Sequence, residues 1–289
     1  NNFSNDSFRL AVGTKGEIND KWSYDVSYLH AQSRQNSTYI NDFFAPKITA
    51  VLNQDACDAG CPGYSVFQPN GVTPEQANSL TGTGMLSSQS ITEVINGYVT
   101  GDLFSIGDAD PIKIVVGYEW RSEDFDRTSD TVFAEGQLLG QGGPTPSLGG
   151  KFNVSEFFGE ANIPIFDNLV ADLAYRYSDY STVGGQSTYR LGLDWQPIDM
   201  VRLRTGFNGA VRAPNVSELY SVNNLGLWAG TDPCSGANPE YTAAQCALTG
   251  VTAAQYGSVV QSPADQYNQV SGGNVNLDVE EADTITVGV

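Results

Sequence analysis

The strongest constraint in this chain is parity. In segment after segment, apolar side chains occupy one set of alternate positions and polar or charged ones the other, as an extended strand between two unlike solvents requires. In KWSYDVSYLH (21–30), Trp22, Tyr24, Val26 and Tyr28 share one face, while Ser23, Asp25 and Ser27 share the other. In PIKIVVGYEWRSEDF (111–125), Ile112, Ile114, Val116, Tyr118 and Trp120 oppose Lys113, Gly117, Glu119 and Arg121. The rhythm returns in LVADLAYRYSDY, STYRLGLDWQ and MVRLRTGFNGAVR, where Tyr175, Leu191 and Leu203 lie on the apolar side and Arg176, Arg190 and Arg204 on the other. With DSFRLAVGTK (6–15), ITEVINGYVTGDL (91–103), FNVSEFFGEANIPI (152–165) and DTITVGV (283–289), the count is nine strands.

This pattern predicts an all-β, antiparallel transmembrane barrel better than a soluble sandwich. A sandwich buries one face of each sheet, and its strands average roughly 5–6 residues. Here the alternation runs over roughly 10–13, the length a tilted membrane strand needs, and one face carries full charges strand after strand. The connections also segregate. GEIND, SIGDAD, FDN and PID are brief, whereas three of the four connections at the opposite ends are long, near 40–89, 126–151 and 215–281. Outer-membrane barrels have this asymmetry, with short periplasmic turns and long extracellular loops. Nine strands cannot close a barrel by themselves, so the chain is expected to be a portion of a larger one.

Composition narrows the function. A formal net charge of −19 argues against nucleic acid as a partner, because phosphate recognition relies on clustered Lys and Arg. From Ala213 to Val289 there are eight acidic residues and no basic one, so a strongly anionic ligand is disfavoured. No apolar run approaches the ~20 residues of a membrane helix. The four cysteines form two local pairs, Cys57 with Cys61 in CDAGC and Cys234 with Cys246 in CSGANPEYTAAQC, both in Gly/Asn-rich loops. The only histidine, His30, lies on a strand, so the cysteines suit disulfides made outside the cytoplasm better than zinc. No metal site, cofactor or catalytic residue is expected. One histidine leaves no Ser-His-Asp scheme, and Glu280 and Glu281 point apart on an extended chain.

The end of the eighth segment is the most informative stretch. In VRAPNVSELY (211–220), Arg212 falls on the charged face, Pro214 ends the strand, and Asn215 with Glu218 three residues on makes a capping-box start for a short helical turn. Leu219 and Tyr220 would fold that turn back over the rim. RAPNVSELY resembles the signature of TonB-dependent outer-membrane receptors, carried here by Arg212, Ala213, Pro214, Glu218, Leu219 and Tyr220. GGNVNLDVEEADTITVGV (272–289) is similar to the segment that leads these receptors from a long loop into the next strand. GYEWRSEDF (117–125) resembles a strand that commonly precedes both.

The resemblance implies a portion of a 22-stranded barrel with a plugged lumen in a Gram-negative outer membrane. The plug domain and the C-terminal strands are expected outside this sequence. It implies energy-coupled uptake of a scarce nutrient, a siderophore-iron complex, carbohydrate or peptide. The partners would be outer-membrane lipid, a small nutrient ligand and the inner-membrane TonB complex, engaged through the plug. Candidate ligand groups are Glu119, Arg121 and Arg212 on the lumen face near the mouth, with the loop aromatics Tyr64, Tyr220 and Trp228. The rival readings are a passive porin or adhesin barrel and a soluble secreted β-sandwich that binds Ca²⁺.

Overall fold

The computed structural model describes residues 1–53, 69 and 71–289. Nine strands form one antiparallel sheet: β1 (Asn2–Asn19), β2 (Trp22–Phe43), β3 (Thr81–Ser105), β4 (Pro111–Ser129), β5 (Leu148–Phe166), β6 (Leu169–Tyr180), β7 (Gly184–Ile198), β8 (Val201–Arg212) and β11 (Glu280–Gly288). Each pairs with its chain neighbour, β11 joins β8, and β1 and β11 are the two edges, so the sheet is open in this chain. The remaining strands, β9 (Asn224–Ala229) and β10 (Gln266–Ser271), form a separate hairpin inside the last long connection. The helices α1 (Ala45–Asn53), α2 (Pro74–Ser79), α3 (Thr131–Ala134), α4 (Val216–Tyr220) and α5 (Ala243–Ala247) all lie in long connections. No described helix is long and apolar enough to cross a membrane.

Register carries the parity of each strand across the whole sheet. One continuous row of partners reads Trp22, Gly101, Ile114, Ala161, Leu173, Leu191, Phe207 and Ile285. The next row, on the opposite face, reads Ser23, Thr100, Val115, Glu160, Ala174, Arg190, Asn208 and Thr284. Among the described residues no second sheet covers this apolar face: Tyr175 is 53% exposed, Leu191 49% and Ile285 75%. A face this greasy, with aromatics such as Trp22, Trp120, Tyr177 and Trp195 toward its borders, matches a hydrocarbon band rather than a sandwich core.

The strands run farther than parity alone suggests. β2 spans 22 residues and β3 spans 25, against the 10–13 expected. Ten strand residues tilted by about 40° already climb about 25 Å, the height of the lipid band. The excess stands beyond it, where the outer face also turns polar: Arg34 donates to Gln89 at 2.9 Å, and Asp124 and Asp126 stand in the adjoining strand. Water on both faces erases the alternation that marks a strand in sequence. The long connections shrink accordingly to 44–80, 130–147 and 213–279, and the third holds a hairpin that its loop-like composition concealed. The short ends occur where expected, as at 20–21, where the Asn19 side chain accepts from the Lys21 and Trp22 amides.

Of the two expected disulfides, the structure describes one. Cys234 and Cys246 are joined within the third connection. The other expected bond, between Cys57 and Cys61, is not among the described contacts, because Cys57 and Cys61 both lie outside the described residues.

Two outcomes follow for the intact protein. Leu191→Arg, on the lipid face, is expected to destabilise folding into vesicles by about 2–4 kcal/mol, while Gly192→Ala, one residue along and facing inward, leaves it within about 1 kcal/mol. Equal effects in equilibrium denaturation would contradict the assignment of faces. Mass mapping without reductant should find Cys234 joined to Cys246. Cys234→Ser with Cys246→Ser removes a cross-link worth about 3 kcal/mol on chain-entropy grounds. Its expected effect is faster protease nicking between residues 230 and 265, with the barrel transition unmoved.

Candidate functional site

The site is built where the inner, polar face of the sheet meets the connections that fold onto it. On the wall, Glu119 and Arg121 stand two residues apart on β4 and share the inner face. Glu119 accepts from the Asn96 amide at 2.9 Å and sits opposite Glu156 in the ladder. Arg121 pairs with Glu123 at 3.1 Å, and Glu123 also accepts from Thr92 at 2.9 Å. Glu156 is the most buried acid on the wall at 5% exposure, held by Arg176 at 2.9 Å and by the Ser178 hydroxyl at 2.6 Å. The Arg176 guanidinium lies 4.9 Å above the Phe158 ring, so its charge is balanced on one side and covered on the other. Sequence reading placed Arg176 on this face but missed Glu156. Glu156 shares its face with Phe152, Val154 and Phe158, so local alternation in FNVSEFFGE does not mark it.

At the rim, Arg212 ends β8 and Pro214 follows as a buried turn residue. Asn215 caps α4 by accepting from the Glu218 amide at 2.9 Å, and the Glu218 carboxylate accepts in return from the Asn215 amide at 2.8 Å. The expected capping box is therefore present. The same Glu218 carboxylate receives both terminal nitrogens of Arg212 at 3.0–3.1 Å, and Arg212 also donates to Glu280 at the start of β11. Arg212 thus fastens the end of one strand, the helix after it and the beginning of the next strand, which is 68 residues away in sequence. The hydrogen bonds from Arg212, then that from the Asn215 backbone, hold the Glu218 carboxyl below the usual carboxylate range. A depressed carboxylate stabilises the folded loop above its unfolded pKa, and that contribution is lost in acid as pH falls through the lowered value. The Glu280 contact could not be read from RAPNVSELY alone.

The apolar side of α4 turns inward. Val216 and Leu219 are buried, and Val216 and Tyr220 press on the backbone of β5 at Gly150. Tyr220 therefore packs the loop against the wall as well as lining the mouth. On the neighbouring strands, Phe133 of α3 and Leu138 cover Gly84 of β3, with Tyr39 edge-on to Phe133 at 5.3 Å. These two inward-folded connections touch. Asn224 donates to the Pro144 carbonyl at 2.8 Å, and a Cβ on Gly143 would lie 2.3 Å from the Leu225 carbonyl oxygen, so glycine permits the approach. Trp228 stands apart on the β9–β10 hairpin, stacked at 5.9 Å with Tyr267. Tyr64, in the same connection as Cys57 and Cys61, lies outside the described residues as they do. The geometry therefore joins Arg212 to Glu218 and sets Glu119 beside Arg121. Among the described residues, no hydrogen bond or ion pair links these two groups to each other or to Trp228.

Among the described residues, no cluster of three or more carboxylate, imidazole or thiol groups stands at metal-binding distance. The mouth offers paired charges, amides and aromatic rings, a set suited to binding and orienting a solute.

The comparisons agree with this architecture. An enterobactin-bound mutant of the ferric enterobactin receptor of Pseudomonas aeruginosa aligns over 96% of this chain at 19% identity and TM-score 0.53, with 32% of its own length covered. The siderophore receptor PirA of Acinetobacter baumannii aligns over 99% at 15% identity and TM-score 0.51, with 32% of its length covered. The RagAB peptide importer aligns over 99% at 13% identity and TM-score 0.50, with 28% covered. At such identities the likeness is one of fold, and this chain spans under a third of each neighbour. No curated protein sequence matches. The family model described as "TonB dependent receptor-like, beta-barrel" matches residues 1–289, and the chain therefore belongs to the TonB-dependent receptor β-barrel family.

Proposed function

We propose that this chain forms part of the wall and mouth of a Gram-negative outer-membrane receptor that imports a scarce small nutrient with energy delivered by an inner-membrane TonB complex. The observation that carries the reading is the inward fold of two long connections. Residues 130–147 and α4 lie on the charged face, and the Asn224–Pro144 contact ties them together, so an entering solute meets loop and wall side chains at once. An adhesin needs its loops displayed outward, whereas here they fold onto the charged face.

In this reading Glu119 and Arg121 contact the ligand from the wall, and Arg212 holds the rim in the shape that admits it. Tyr220 and Trp228, with Tyr64 in the first long connection, supply stacking surfaces. Ferric siderophores, carbohydrates and peptides are the nutrient classes under consideration. An enterobactin receptor and a peptide importer share this fold, so the fold alone does not choose among them. Outer-membrane lipid covers the apolar face, and the barrel's function involves no nucleic acid and no chemical turnover.

The test uses the intact receptor in cells. Loss of the TonB complex should abolish import and leave surface binding of the nutrient intact; import that continues without it identifies a passive channel. Arg121→Gln and Glu119→Gln should each weaken nutrient binding by roughly tenfold or more, the scale of a lost charge-assisted hydrogen bond, without lowering the amount of folded receptor. Unchanged affinity in both would remove β4 from the site.

A further inference from the structure

From β4 to β8, a guanidinium on the inner wall normally has a bonded partner. Arg121 has Glu123, Arg176 has Glu156, Arg202 has Asp194, Arg212 has Glu218 and Glu280, and Arg127 donates to the Pro146 carbonyl. Arg190 of β7 and Arg204 of β8 break the pattern: neither has a hydrogen-bond or ion-pair partner among the described residues. Both line a single cleft of about 440 Å³ on the inner face, below the mouth and toward the short-turn end.

The floor between them is bare backbone. Gly192 pairs with Gly206, so no side chain fills the space separating Arg190, opposite Asn208 in the ladder, from Arg204, opposite Asp194. Asn208 and Thr286 add an amide and a hydroxyl to the lining. The cleft's own acids, Asp172 and Asp194, are each bonded to another residue, although the neutral amide that holds Asp172 leaves its charge in place. Asp194 faces Arg204 but is held bidentately by Arg202, and Asp172 accepts from Asn162 at 2.7 Å. Glu160 lies in the same register row as Arg190, with Ala174 between them, and makes no bond to it. Two guanidiniums with unspent donors facing one open cleft repel each other, and a planar or tetrahedral oxyanion placed between them is the chemistry that relieves this.

We infer that Arg190 and Arg204, with Asn208 and Thr286, form an oxyanion site on the lumen wall that receives a carboxylate or phosphate group of a solute passing through the barrel. This deepens the uptake reading and rests on it to the extent that the charged face borders the lumen. It also revises the expectation that a strongly anionic ligand is disfavoured. That expectation came from the acidic residues after Ala213, most of which belong to the last connection, whereas the wall below sets Arg190 and Arg204, without a bonded carboxylate among the described residues, beside Asp172 and Asp194.

Inorganic phosphate is the probe, and the readout is its affinity for the intact receptor in detergent by calorimetry, against chloride at matched ionic strength. Arg190→Gln with Arg204→Gln should weaken phosphate binding by at least about tenfold. Gly192→Val keeps both charges and fills the cleft: its Cβ meets only ordinary contacts at 3.5 Å and beyond, its folding is checked by thermal stability, and binding should still fall. Arg9→Gln, on the inner face of β1 and far along the sheet, should bind as the unaltered receptor does. Absence of phosphate binding by the unaltered receptor overturns the inference. So does undiminished binding in the glutamine pair or in Gly192→Val. Loss of thermal stability in the glutamine pair, with no phosphate binding by the unaltered receptor, would assign the arginines instead to an acid fixed within the assembled receptor. Because the readout is binding and not import, a receptor that still imports its nutrient but ignores phosphate would sink this inference alone.

Discussion

The structure depends on the antiparallel ladder, in which each residue has one partner on each neighbouring strand and both side chains emerge on the same face. The sorting of Trp22, Tyr24 and Val26 from Ser23 and Asp25 in one strand is thereby imposed on all the others, out to Ile285 and Thr284 in β11. A slip of a single residue between any two strands would send a whole column of guanidinium and carboxylate groups into hydrocarbon. The sheet therefore needs no sequence-distant core to define it, and its few fully buried residues, such as Leu138 and Val154, lie under the folded-in connections or on the inner wall.

That same ladder lets the long connections be tolerated. Opening the chain between β8 and β11 into a 67-residue excursion adds little closure entropy beyond that of a shorter loop, because the cost grows only with the logarithm of length. What such a loop lacks is a defined path, and the signature stretch supplies one. Pro214 stops the strand, the capping box turns the chain, and Arg212 binds the turn to the strand at which the loop returns. Gly273 then donates to the Ser221 carbonyl at 2.7 Å and Asn274 to that of Glu218 at 2.8 Å, so the returning chain is threaded past α4 by its backbone. The short family motif is thus a device for leaving and re-entering a sheet.

How much of this was legible in the sequence follows from where each signal has a physical cause. The nine strands, their order and the four short turns were readable, since lipid on one side and water on the other print a period of two. The upper halves of β2 and β3 were not, because Arg34, Asn36 and Ser87 are wetted on both faces and leave no period to find. The α4 turn was readable from Asn215 and Glu218, a local pair, and the Cys234–Cys246 bond from two thiols close in sequence within one loop. The Arg212–Glu280 contact spans 68 residues and the Asn224–Pro144 contact 80, and no local rule reaches that far. Glu156 was missed for a related reason: its meaning lies in Arg176 and Ser178 on the next strand.

Net charge illustrates the remaining gap between composition and site. A chain at −19 reads as a repeller of anions, yet a barrel divides its residues among three environments that scarcely share a field at physiological salt, where screening acts within about 8 Å. The last long connection carries five acids and no base of its own, and among the described residues only Glu218 is matched, by Arg212 at the end of β8. On the inner wall, by contrast, Arg121, Arg176 and Arg202 are matched one to one by Glu123, Glu156 and Asp194. Down the wall the acidic field of that connection therefore gives way to a balanced one, and then to the point where Arg190 and Arg204 stand without a bonded carboxylate among the described residues. The local field of such a wall is set by which charges lack partners, a property of register and not of the sum over the sequence.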